Sequence, residues 1–238
     1  MTLNPKSRWS AFGIHLVISI AVLLVLLLVI FFVWFPHDLI NAGGVRGLRI
    51  LTVVALVTGP LLTLLVYRPG KKSLRFDLSA ITLLQLACML AGVWLIYNQR
   101  PLVQVLADDG VHLIAASDFK AYEVTLVDFP GPSPKHIMLD IPENHSELAA
   151  VKFTSDMITE KPFTFRTDLY LPMSELDQQR FNQRIAFIRE HLDDAELTRL
   201  SIPEKLDCSW VPLHAAHFSG CACTNFTRGI VSLADQER

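Results

Sequence analysis

Between residues 11 and 97 the chain has three long stretches, 11–35, 50–67 and 78–97, without a single Asp, Glu, Lys or Arg. A proton relay, an ion path or an intramembrane peptidase needs acids or strong bases at that depth, so the absence of Asp, Glu, Lys and Arg argues against all three. The chain also has no Gly-x-Ser-x-Gly, no His-Glu-x-x-His and no glycine-rich phosphate loop, which removes the usual signatures of acyl transfer, zinc proteolysis and nucleotide binding. Positive charge is scarce where a nucleic-acid surface would need it: residues 101–238 carry 12 Lys or Arg against 21 Asp or Glu, a net of -9. That balance gives no encouragement to a nucleic-acid partner, and none is expected. No internal repeat is present.

What is present is apolar length and an uneven charge. Residues 1–100 carry nine Lys or Arg against Asp38 and Asp77, a net of +7, as expected of a part that meets anionic headgroups. The first run holds 25 residues with His15 as its one ionisable group, and at 1.5 Å per residue it reaches ~37 Å, enough for a ~30 Å hydrocarbon core with tilt. It is too long for a signal-peptide core and no small-residue cleavage site follows it, so it is expected to be retained. The second run is interrupted by Gly59 and Pro60, expected to kink the helix or act as a hinge or docking notch for another transmembrane helix. Gln85, inside the third run, reads as interhelical glue.

Orientation follows from the basic residues near the run ends. With the N-terminus inside, Lys6, Arg8, Arg68, Lys71, Lys72 and Arg75 are cytoplasmic and Arg46, Arg49 and Arg100 are not, which favours that arrangement and makes the 68–75 link the topology anchor. Three spans then send everything after Tyr97 outside the cytoplasm. The fold class expected is an α-helical membrane protein with three transmembrane helices followed by a small α+β extracytoplasmic domain: residues 1–10, 11–97 and 98–238.

In the last part the pattern shortens to alternating segments between turns. Residues 101–107 and 111–115 flank Asp108-Asp109-Gly110 and predict a hairpin. The proline-rich stretch 129–134 is a loop. A helix is expected over 146–158, a strand over 163–171, and a helix over 174–192 with Ser174 as N-cap and Leu176, Phe181, Ile185, Ile188 and Leu192 on its core face, leaving Arg180, Arg184 and Glu190 outside. Strands are expected at 209–213, 221–226 and 230–233. The paired acids Asp108-Asp109 and Asp193-Asp194 read as solvated turn residues.

Outside the cytoplasm thiols oxidise. One disulfide from Cys208 to Cys221 or Cys223 is expected, worth ~3 kcal/mol for so short a loop, with one thiol left over. The interleaved His214 and His217 complete the pattern C-x5-H-x2-H-x3-C-x-C, whose five donors could hold a zinc or copper ion. The spacing departs from the usual C-x2-C knuckle and the disulfide competes for the thiols, so no metal and no cofactor are expected.

Residues 59–86, GPLLTLLVYRPGKKSLRFDLSAITLLQL, together with the opening SRWSAFGIHLVISI at 7–20 and a first span ending Phe-Val-Trp-Phe-Pro, resemble the TfpX/TfpZ family of type IV pilin accessory proteins. The resemblance covers roughly residues 7–97. It implies a multi-pass bacterial inner-membrane protein with a cytoplasmic N-terminus and a periplasmic C-terminal domain, which assists assembly or stability of a cognate type IV major pilin in a chaperone-like way. Other pilus assembly components and the lipid bilayer are the further partners expected, and no catalytic residue is carried over. Gly59, Pro60 and Gln85 are the candidate pilin contacts or hinge. The chain has Ala55 where the family pattern commonly has an acidic residue. The alternative is a membrane-anchored thiol or redox enzyme that modifies an exported protein through Cys221 and Cys223.

Overall fold

The computed structural model describes residues 7–36, 39–126, 129, 133–142, 144–155, 157, 161–192, 208–216 and 218–235. They divide into two compact units, one of residues 1–36 and 44–98 and the other of 37–43 and 99–238.

The first unit is three helical rods, Arg8–Trp34, Gly47–Val66 and Leu74–Asn98, each long and apolar enough to cross a membrane. The first rod is α1 (Arg8–Val29), begun by Ser7, whose hydroxyl accepts from the Ser10 backbone N–H, and continued by a π turn at Ile30–Trp34. The second is α2 (Val45–Val53), a π turn at Val54–Thr58 and α3 (Gly59–Val66). The third is α4 (Leu74–Asn98). Proline removes a helical donor and its ring crowds the preceding turn, so an interruption at Pro60 is the sequence expectation. The chain instead stays helical by widening the turn just before it: the Gly59 N–H donates to the Val54 carbonyl, five residues back. A π turn absorbs the missing bond without ending the rod. Bulky apolar side chains such as Val17, Phe32 and Leu65 point away from the bundle and are exposed.

The second unit is built on a seven-stranded sheet in the order β4-β3-β1-β2-β5-β6-β7. β1 (Pro101–Leu106) and β2 (Val111–Ala115) form the expected hairpin around Asp108-Asp109-Gly110. α5 (Ala116–Ala121) then leads to β3 (Lys135–Leu139), parallel to β1, and α6 (His145–Thr154) follows. β4 (Tyr170–Pro172) closes one edge, and α7 (Gln178–Glu190) precedes β5 (Ser209–Ala215), which lies parallel to β2. β6 (Phe218–Asn225) and β7 (Gly229–Asp235) continue as an antiparallel meander. Val103, Val105, Ile114, Ile137 and Leu139 from the central strands pack with Phe119, Leu148, Phe163 and Phe165 as the main core. On the other face of β1, Gln104 is buried and its Oε1 accepts from the Ile230 N–H at 2.9 Å.

Three local expectations are corrected. Residues 163–171 are not one strand: 3-10 turns at Phe163–Phe165 and Thr167–Leu169 precede the three-residue β4. Their N–H groups bond back within the turns, Phe165 to Pro162 and Arg166 to Phe163. Both rings reach the core by this route, which imitates strand alternation. The helix expected from 174 begins at Gln178, because Asp177 caps it by accepting from the Arg180 N–H at 2.7 Å while Met173–Glu175 forms a separate 3-10 turn. Arg184 belongs to the buried stripe with Phe181, Ile185 and Ile188, the i, i+3, i+4, i+7 set, and its Nη2 donates to the Ile141 carbonyl at 3.3 Å. Ser155 and Met157 lie in a π turn after α6, whereas residues 156 and 158 of the expected 146–158 helix lie outside the described residues, as do Asp193-Asp194.

Candidate functional site

Gly59, Pro60 and Gln85 come together in the first unit, and residues on α1 complete the site. A Cβ on Gly59 would sit 2.0 Å from Gln85 Oε1, so the absence of a side chain there is what lets the Gln85 amide lie against the backbone of α3. That amide reaches three groups. Its Oε1 stands 2.6 Å from His15 Nε2, and its Nε2 donates to Ser19 Oγ at 3.2 Å and to the Ala55 carbonyl at 3.3 Å. His15 Nδ1 in turn lies 2.6 Å from Thr63 Oγ1, and Thr63 Oγ1 also approaches the Gly59 carbonyl at 3.1 Å. With both amide hydrogens of Gln85 engaged, its oxygen must accept, so His15 carries a hydrogen on Nε2. The Thr63 hydroxyl donates to the Gly59 carbonyl.

Ser19, Ala55, Gly59, Pro60 and Thr63 are all buried here. The result is a hydrogen-bonded network linking all three rods among apolar side chains, where an unpaired polar group is costly. Such interhelical bonds average ~0.6 kcal/mol, up to ~1.7, so their value lies in fixing register more than in strength. The helical position of Ala55 exposes none of its surface, and its contribution is its carbonyl. His15, Ser19 and Thr63 were not singled out as site residues by sequence reasoning. A signal existed: they and Gln85 are polar side chains inside the uncharged runs.

Part of the chain aligns with curated proteins. Over 109 residues, 44% of this chain, it is 31% identical to the fimbrial assembly protein of serogroups C1 and C2 from Dichelobacter nodosus, and the match covers 83% of that protein. The chain belongs to the fimbrial assembly protein family. Relatives in the same organism, the fimbrial assembly proteins of serogroups E1 and I, are 32% and 33% identical over the same number of residues, but the match spans only 42% of each. No protein-family model and no solved structure matches the chain.

In this member of the fimbrial assembly family the basic link from Arg68 to Arg75 joins the second and third rods. Arg68, Lys71, Lys72 and Arg75 are exposed, and Lys71 pairs with Asp77 in the first turn of α4. In the sheet unit Cys208 is bridged to Cys223 across β5 and β6, with Cα atoms 5.5 Å apart, while Cys221 keeps a buried thiol. The bridge removes two of the five donors of the C-x5-H-x2-H-x3-C-x-C pattern. His217 lies outside the described residues. His214 turns to other partners, Asp109 and His112, whose rings and carboxylate gather beside the β1–β2 turn. Burial would raise the Asp109 carboxyl, but the hydrogen bond from His112 and the charges of His112, His214 and Lys152 outweigh it and hold it at about 2. Burial pushes the His136 imidazole down to about 4, and its Nδ1 has no hydrogen-bond partner among the described residues.

Proposed function

We propose that the chain is a non-catalytic accessory factor of type IV pilus assembly, of the TfpX/TfpZ kind, seated in the bacterial inner membrane with its N-terminus in the cytoplasm and its sheet unit in the periplasm. The three rods hold the single transmembrane helix of a cognate major pilin laterally, and the sheet unit meets the pilin head, keeping apolar surface covered until the subunit enters the fibre. Membership of a family whose curated members are named for fimbrial assembly supports the pathway. The observation that carries the mechanism is the hydrogen-bonded network around Gly59 and Gln85. Its donors are committed to neighbouring helices, which suits a rigid docking frame better than a transport path. The exposed basic link is consistent with cytoplasmic retention of the 68–75 turn.

The test is crosslinking in cells followed by co-purification, with pilin level and surface piliation measured in a deletion strain. Pilin is expected to copurify with the intact chain, and the yield is expected to fall several-fold when Gly59 and Pro60 are replaced by Ala and Leu. Undiminished pilin and piliation in the deletion strain would sink the proposal. The thiol-enzyme alternative draws no support from the Cys221/Cys223 pair, since Cys223 is bridged to Cys208.

A further inference from the structure

We propose that Asp109, His112 and His214 form a binding site for one divalent transition-metal ion, zinc by ligand type, on the sheet unit. β2 and β5 run parallel with His112 directly paired to His214, so both imidazoles leave the same face of the sheet side by side. Their rings stack with centroids 4.6 Å apart at 28°. The carboxylate arrives from the hairpin turn, and Gly110 places it there. Its φ of 145° is one that other residues rarely adopt, and a Cβ would lie 2.4 Å from the Pro212 carbonyl oxygen. Only a glycine lets the turn press against β5 so closely. Asp109 Oδ1 is therefore 2.8 Å from His112 Nε2, while Oδ2 is 3.8 Å and the backbone oxygen 3.4 Å from His214 Nε2.

One ligand atom from each of the three side chains lies within 4.8 Å of the others. Two imidazole nitrogens and one carboxylate oxygen match a zinc ion bound at ~2.0–2.2 Å with a fourth position left open. Contraction by about an ångström is within reach of side-chain rotation, because Asp109 and His214 are roughly half exposed. Next to them Asp108 is held by Lys152 through Oδ2 at 2.6 Å, and its Oδ1 is buried with no partner among the described residues. A cavity of about 270 Å³, bordered by Asp108, Asp109, Leu148, His191 and His214, opens beside the cluster and leaves room for water or a partner's ligand at the fourth position. Nickel or copper would satisfy the same donors and would bind by the general order of affinities. Zinc is favoured because it needs no particular geometry from so open a site.

The experiment uses the full chain purified in detergent, stripped with chelator and titrated with zinc against a chromophoric competitor, with thermal unfolding recorded in parallel. One equivalent is expected to bind and to raise the unfolding midpoint. Loss of a supporting group alone typically costs ~10–100-fold in metal affinity, so His112→Gln and His214→Gln are each expected to weaken binding by ~100-fold or more, and Asp109→Asn by ~10-fold or more. Both histidines are replaced at partly exposed positions, and an unchanged circular dichroism spectrum confirms that the variants fold. Equal uptake by the wild type and the His112→Gln/His214→Gln double variant would overturn the proposal. So would loss of binding in His191→Gln alone with the other variants unaffected, or no uptake by the wild type at 100-fold excess zinc.

Discussion

The two units handle polarity differently. Among the three rods the buried polar side chains described, Ser19 and Thr63 with Gln85 and His15 beside them, hydrogen-bond to one another without a carboxylate, Lys or Arg. In the sheet unit Gln104 and Arg184 are buried and hydrogen-bonded too, but ion pairs gather nearer the surface: Asp108 meets Lys152 at 2.6 Å, and the half-exposed Asp109 lies 2.8 Å from His112. The difference follows from how near each group lies to solvent. A charge in an apolar medium must be compensated completely, whereas near water the solvent supplies what a partner does not. The rods therefore use hydrogen bonds to set register, and the sheet uses ion pairs and a disulfide to tie strands and turns.

Three perturbations test that contrast. Cys208→Ser removes the bridge to Cys223 and should cost the sheet unit ~3 kcal/mol. With Trp9, Trp34 and Trp94 replaced by Phe, the fluorescence of Trp210, which packs beside Cys223, reports that unit alone; a matching loss of helicity in the rods would break the separation of the two units. Gly59→Val drives a side chain into the Gln85 amide and should destabilise the rods by ~2 kcal/mol through overpacking. Detergent-phase hydrogen exchange should then show faster exchange along α3 and α4, with β1 to β3 unchanged.

The third test is pH. His136 is lowered to about 4 from its ordinary 6.5, so the folded state prefers the neutral ring. Protonation then favours the unfolded chain, and stability should fall as pH drops from 6.5 to 4. Asp109 is lowered from 3.8 to about 2, so its contribution is present above 3.8 and lost between 3.8 and 2. His136→Gln should abolish the upper window and leave the lower one. Denaturant midpoints across pH check both, and a single window unaffected by the substitution would refute the assignment.

Much of the layout is legible along the chain because it depends on local composition. The apolar runs 11–35, 50–67 and 78–97 became the rods Arg8–Trp34, Gly47–Val66 and Leu74–Asn98 with shifts of a few residues at their ends. The Asp-Asp-Gly turn and the late strands also lie where alternation and turn residues put them. Reading failed where two conformations share one pattern. Phe163 and Phe165 alternate like a strand yet belong to a 3-10 turn, and Ser174 and Asp177 are both competent caps, of which tertiary packing selected Asp177. Arg184 was misread because its charge concealed its place in the apolar stripe.

By itself, then, the sequence determined that three largely apolar rods precede a sheet-forming domain, since hydrophobic length and periodicity act over neighbouring residues. Only the tertiary structure decided which polar groups meet. His15 and Gln85 are 70 residues apart, and Asp109 and His214 are 105 apart. Such pairs depend on which helices pack and which strands lie parallel, and those choices minimise buried unpaired polarity over the whole unit, a quantity no local window contains.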